Sequence, residues 1–378
     1  NTLSVSGGGR AEAGALSLWG ETYSILVQDP GSRLDAGHEF GMGGSGGRLW
    51  VTEGGNVGSE LMYVTSSVAH VLVSGSGSSI TGTALLATSP GTGNEIEARD
   101  GGNMHFSAGV AFDGHCNTIR VHGANAQFRT PNLYVGNMSS AFGNQIVVSN
   151  GGRLDTVIMT STAASNTLIS VSGAGSVIGQ YSGSPSVLAL QGTDERLEVR
   201  DGATLFASPF IVGTRETFDV HGIGSSVTGA SPSQVLGLEN ILTVSGGARV
   251  DLPSFTMGGN GSQVEVTGDG STWTNPGSFD ISGGFQNSLR VTDGAEFLTG
   301  PMSMMNATDL NVLFSGANTR ATVGNIMANL LDNSSITISN GAQVSSSEAV
   351  LAGTTARLDV VGTGSAFHVA GELGIGMF

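Results

Sequence analysis

Ile146-Val147-Val148-Ser149-Asn150-Gly151-Gly152-Arg153-Leu154 is the stretch from which the rest of the chain is read. It holds an apolar–x–apolar pair, a bend of Asn and Gly, and a further apolar residue beyond the bend. Asn and Gly tolerate positive φ, so the backbone turns sharply there, while alternation on either side sends one face inward. The same pattern recurs in both directions. Its second apolar position falls at Val5, Val27, Val51, Val73, Ala98, Val121, Val148, Val171, Val199, Val220, Val244, Val266, Val291, Phe314, Ile338 and Val360. Steps of about 21–28 residues, averaging about 24, leave no gap wide enough for a separate domain.

The bend comes in two alternating forms. One is Gly-x-Gly-Ser, as in Gly75-Ser76-Gly77-Ser78, Gly173-Ala174-Gly175-Ser176 and Gly268-Asp269-Gly270-Ser271. The other is Asp/Asn/Gly-Gly-Gly/Ala, as in Asp100-Gly101-Gly102, Asn150-Gly151-Gly152 and Asp293-Gly294-Ala295. Alternation makes the duplicated unit two coils, about 47 residues. Two more short strands fit into each coil. One carries an apolar residue just after the bend (Leu34, Val57, Ile80, Leu154, Val177, Val227, Val250, Trp273, Phe297). The next carries pairs such as Phe40/Met42, Leu133/Val135, Phe210/Val212, Leu236/Leu238 and Phe255/Met257. No segment sustains helical spacing. The expectation is an all-β parallel solenoid of about sixteen coils with three short strands per coil, a single domain over residues 1–378.

Composition fits that expectation. Of 378 residues 61 are Gly and only 12 % are charged, too glycine-rich for helical domains and without the collagen triplet. A mean hydropathy of +0.12 supplies enough apolar surface for a core. A lone coil buries too few apolar side chains to offset the entropy of ordering it, so stability must come from stacking neighbours. The net charge is −16 and every basic residue is Arg, which disfavours nucleic acid and anionic membrane as partners. The single Cys116 excludes an internal disulfide. The chain opens in mid-pattern at Asn1 and stops on Phe378, as a fragment of a longer repeat protein would.

Two columns of residues follow from the stacking. Val5, Val121, Val148, Val171, Val199, Val220, Val244, Val266 and Val291 form the expected core stack. Asn recurs four or five residues earlier, at Asn1, Asn94, Asn117, Asn144, Asn166, Asn240, Asn287 and Asn333. Side-chain amides at strand spacing can donate and accept along the stacking direction, so these are expected to form a ladder. The plainer alternative is that Asn suits a turn.

Gly268-Asp269-Gly270-Ser271-Thr272-Trp273, Leu133-Tyr134-Val135-Gly136 and the stretch Ile146–Leu154 resemble the passenger repeat of type V secretion (autotransporter) proteins and of proteins with a PEP-CTERM sorting tail. The resemblance is spread over the whole chain and implies a right-handed parallel β-helix, export, and display at the cell surface. No translocating barrel, sorting tail or signal sequence accompanies it in these residues.

Parallel β-helices also serve as polysaccharide lyases and glycoside hydrolases, which need carboxylates clustered on adjacent coils. Here Asp100, Asp113, Asp201, Asp269 and Asp293 are turn residues. Glu97, Glu198, Asp219, Glu265 and Asp359 flank outward strand positions, a solvated face that leaves room for weak Ca²⁺ binding. His115, Cys116 and His122 complete no four-ligand set, and the shared Val-His-Gly of His122 and His221 lies about four coils apart. Recurrent Gly-x-Gly opens no helix, which removes a dinucleotide loop. Trp19 and Trp50 are the aromatics to inspect for exposure, and residues Gln180–Pro185 form the longest insert. Sequons stand at Asn137, Asn260, Asn306 and Asn333.

The sequence therefore predicts a secreted, cell-surface structural solenoid: a stalk, a fibre or filament subunit, or an adhesin shaft. No catalytic residue, no metal ligand and no cofactor are assigned, and no segment inserts into a membrane. The expected partner is a further copy or further repeats of the same chain, end to end, with glycans or cell-surface ligands as additional partners. A polysaccharide-active enzyme and a carbohydrate-binding surface module are the alternatives.

Overall fold

A computed structural model of the chain describes residues 1–87, 91–136, 141–179 and 186–376. The chain is all-β, a parallel β-solenoid of about sixteen turns, with no helix among the described residues. It divides into two compact units: Asn1–Arg196 with Ala203–Phe206, and Leu197–Gly202 with Ala207–Phe378. The insert Gln180–Pro185 and the sequon at Asn137 lie outside the described residues.

In the first unit the reference strands form one parallel sheet. Its order is Thr2–Val5, Ser24–Gln28, Arg48–Thr52, His70–Ser74, Glu95–Arg99, Thr118–His122, Gln145–Ser149 and Leu168–Ser172. Val5 sits opposite Val27, and Val121, Val148 and Val171 follow one another in register, all buried. In the second unit Thr217–His221, Ile241–Ser245, Gln263–Thr267, Ser288–Thr292, Asn311–Ser315, Ser335–Ser339 and Arg357–Val361 repeat the arrangement. There Val220, Val244, Val266 and Val291 stack in register. Val199, on the strand Arg196–Arg200 where the division falls, is also buried. Period-two alternation is the cause: the branched residues at the inward phase fill the coil interior while their neighbours face out.

The remaining strands of each coil form further parallel ranks. In several coils the second and third strands run together, as in Asn56–Val64, Asn103–Phe112 and Gln343–Gly353. The core they enclose is aromatic in the second unit. Trp273 meets Phe255 edge-on at 4.9 Å between centroids and stacks on Phe297 at 6.5 Å. Its indole N–H donates to Asn275 Oδ1 at 2.9 Å, and Asn275 Nδ2 donates to Thr299 Oγ1 at 2.9 Å, so the polar atoms of this buried pair are matched.

At three places the inward residue is the neighbour of the expected one. Ile178 rather than Val177 stacks on Leu154. Ile211 rather than Phe210 or Val212 is inward, and Val235 sits between it and Met257, while Leu236 and Leu238 are 39 % and 46 % exposed. Each site has apolar residues in both phases, so alternation alone cannot choose the face; registry with the adjoining coils does.

The two bend forms prove to be partners. The hydroxyl of the Gly-x-Gly-Ser bend accepts from the middle Gly N–H of the bend before it. Gly54 N donates to Ser78 Oγ, Gly151 N to Ser176 Oγ, Gly202 N to Ser225 Oγ and Gly341 N to Ser365 Oγ, each at 3.0 Å. The same hydroxyl donates back to a carbonyl four residues earlier, as from Ser78 to Ser74 O at 2.8 Å. One strict requirement sits beside it. A Cβ on Gly102 would lie 2.2 Å from the Val73 carbonyl oxygen of the preceding coil, so a side chain here would force the backbone to shift.

Candidate functional site

The Asn column is built differently from a stack of amides. Ala69 N donates to Asn94 Oδ1 (2.8 Å), Asn94 N to Asn117 Oδ1 (2.9 Å) and Asn117 N to Asn144 Oδ1 (3.0 Å). Each buried side-chain oxygen thus accepts a main-chain N–H from the coil before it. In the second unit Glu216 N donates to Asn240 Oδ1 at 2.8 Å and Ser262 N to Asn287 Oδ1 at 2.9 Å. Asn166 and Asn333 do not belong to the column. Both are exposed with positive φ (53° and 46°), one residue before the column position, where Thr167 and Ser334 stand. Ser334 Oγ takes over the acceptor role towards Leu310 N at 3.1 Å. The sequence holds spacings of both four and five residues, and that one-residue difference separates a buried acceptor from a left-handed turn.

Glu195 immediately precedes its reference strand, the same place that Asn144 holds, and is 1 % exposed. Its Oε1 accepts from the Ser161 hydroxyl and its Oε2 from Gly192 N at 3.1 Å. Burial pushes its carboxyl up to about 7, with these hydrogen bonds only partly opposing the rise.

A second group of ionisable residues lies on the outward face of three consecutive reference strands of the first unit. Registry places Glu95 between His70 and Thr118, and Arg99 beside His122. Glu97 is the centre of the group and is 6 % exposed. His70 Nε2 lies 3.1 Å from Glu97 Oε2, and His122 Nε2 lies 2.6 Å from Glu97 Oε1. Glu95 Oε2 is 4.0 Å from the same His70 nitrogen, and Glu95 Oε1 accepts from Arg120 Nε at 3.0 Å. Arg99 Nη1 stands 3.8 Å from Glu97 Oε1. Burial raises the Glu97 carboxyl, but hydrogen bonds from His122 and His70 and the nearby Arg99 outweigh it and hold Glu97 below its ordinary range.

The outward carboxylates are therefore not a freely solvated stripe. Glu198 is 8 % exposed and lies 3.3 Å from Arg200, which also holds Asp219 at 2.9 Å. Glu265 faces Arg290 at 3.7 Å, and Asp359 is held by Arg357 at 2.7 Å. The other sequence candidates stay apart from the His70 group. Cys116 is exposed with φ 53°, and His115 bridges Thr92 and Phe142 at a corner. His221 Nδ1 contacts Ser245 Oγ at 3.0 Å. Trp50 is half-buried with the Arg48 guanidinium 5.6 Å above its ring. Trp19 is 76 % exposed and lines a shallow groove of about 310 Å³ with Glu39 and Tyr63. Of the sequons within the described residues, Asn260, Asn306 and Asn333 are all exposed.

Sequence reasoning missed His70 and Glu95. The signal was present: both occupy the first outward phase of consecutive reference strands, and Glu97 and His122 the next phases. Only the exact coil registry brings a His from each side onto one carboxylate.

Fold and surface together place the chain in the class of parallel β-solenoids. No protein-family model matches it, and no curated protein does either. Among solved structures, a TibC-catalysed hyper-glycosylated fragment of TibA is similar, at 15 % identity and a TM-score of 0.32, covering 99 % of each chain. A likeness that distant carries nothing about function.

Proposed function

We propose that this chain is a structural module of the cell surface or extracellular space, serving as a stalk, a fibre or filament subunit, or the shaft of an adhesin. The observation that supports this reading is where the polar side chains are spent. Buried Asn oxygens and bend hydroxyls bind main-chain N–H groups of the adjoining coil, so they secure coil to coil. A solenoid of this kind presents a long regular surface and continues wherever another coil of the same phase meets it. Further repeats of the chain, or a second copy, are the partners that the pattern suits. Electron microscopy of the purified protein over a range of concentrations tests this. Filaments or end-joined particles support the subunit reading, and short separate particles at every concentration restrict the module to a stalk.

One observation favours a carbohydrate-binding surface as a second reading. The Trp19 ring packs against Gly43, where a Cβ would come within 2.6 Å of it, and stays largely exposed in the groove it lines with Tyr63 and Glu39. An aromatic face next to a carboxylate suits the C–H face and hydroxyls of a sugar. A glycan-array signal that Trp19→Ala removes would support this reading, and an unchanged or absent signal would end it.

A further inference from the structure

The His70 group is arranged as more than an ion-pair network. Each of its two carboxylates has one oxygen engaged from the following coil: Glu95 Oε1 by Arg120 and Glu97 Oε1 by His122. The remaining oxygens, Oε2 of both, turn towards the same atom, His70 Nε2, at 4.0 and 3.1 Å. Among the described residues this is the one set of three His, Cys, Asp or Glu ligand atoms that lie mutually within 4.8 Å. Ligand atoms bound at about 2.0–2.1 Å in a tetrahedral zinc site lie about 3.3 Å from one another, a value between the two separations here.

The geometry points to a binding site for a divalent transition cation of the zinc class, with His70 Nε2, Glu95 Oε2 and Glu97 Oε2 as ligands. One imidazole and two carboxylates suit zinc and its neighbours better than Ca²⁺, which takes six or more oxygens. His122 is the positioning residue: it holds the far oxygen of Glu97 and so fixes the near one, as outer partners of metal ligands do. Arg99 and Arg120 oppose the charge of a bound cation, but they do so from the oxygens turned away from it. The ligands come from two adjoining strands, and side-chain exposures of 30 % for His70 and 37 % for Glu95 leave a side open for a fourth ligand such as water. A bound ion therefore pins two coils together, and through His122 a third.

Isothermal titration of the whole metal-free protein with zinc chloride, alongside thermal unfolding with and without zinc, tests the site. The wild type should take up one zinc ion per chain, and its unfolding midpoint should rise. His70→Ala and Glu97→Gln should abolish saturable uptake while retaining the same circular dichroism, and His122→Ala should weaken it by about 10–100-fold. His38→Ala, which removes an imidazole paired elsewhere with Glu60, should change nothing. Cobalt in place of zinc should give the visible absorption of a low-coordinate centre, lost in His70→Ala. A wild type without saturable uptake, or uptake that survives both His70→Ala and Glu97→Gln, overturns the assignment.

Discussion

Single residues decide which N–H groups of this chain find an acceptor. The alternation of hydroxyl-bearing and hydroxyl-free bends is broken once in the first unit. Ala126 occupies the place that Ser78 and Ser176 hold in other coils, with the same short contact from its N–H to a carbonyl three residues earlier (3.2 Å, against 3.1 Å for both serines). Ala126→Ser should therefore supply the Gly101 N–H with an acceptor and raise stability by about 0.5–1.5 kcal/mol, read from urea unfolding. Glu195 offers the opposite lesson. Its carboxyl sits at about 7 in the folded protein against an ordinary 4.5, so the folded chain holds a proton that the unfolded chain releases. This favours the folded state in full below the ordinary value and is lost as pH rises through the folded one. The loss amounts to about 3 kcal/mol between roughly pH 4.5 and pH 8. Glu195→Gln keeps an acceptor for Gly192 N and presents a donor to Ser161. It should flatten that pH dependence, with the variant the more stable protein above neutrality in urea titrations at the two ends of the range.

Strands and bends carry the next level of specification, and the Asn column shows how much of it a sequence displays. Asn117→Ala leaves the buried Asn94 N–H without its acceptor and should cost about 1–3 kcal/mol. Asn166→Gly, at a left-handed turn one residue off the column, should stay within about 0.5 kcal/mol of wild type. A matched pair of unfolding curves separates the two roles. The coil period and the inward face were readable because branched residues alternate with polar ones at Val121, Val244 and Val266. They became ambiguous where apolar residues adjoin, at Phe210-Ile211 and Val235-Leu236, since a strand cannot show its face when both phases would suit the interior. The His70 group was unreadable for a related reason. Its members are separated by whole coils of variable length, and a slip of one residue would have turned Glu97 away from both imidazoles.

Considered as whole molecules, repeat proteins tolerate changes that would destroy a globular core, provided that phase is kept. Excision of residues 241–287, two coils of the second unit, would join Asn240 to Ser288. Asn240 would then precede the strand that Asn287 now precedes, and the order of bend forms would survive. The shortened chain should fold, keep its circular dichroism per residue, and unfold at a somewhat lower urea concentration, as expected when stability sums over neighbouring repeats. Removal of residues 243–288, one residue fewer, would instead join Leu242 to Leu289 inside the strand Ile241–Ser245, put Arg290 at an inward position, and should give an aggregating product. The paired strands also set how each unit bears load. Its main-chain hydrogen bonds point from coil to coil, so tension applied in that direction opens them in sequence rather than shearing a whole rank together. Each rupture would pay out about 24 residues of slack, roughly 80 Å of extended chain. Under a pull, such a unit yields like thread leaving a spool, dissipating work turn by turn before the chain itself is strained.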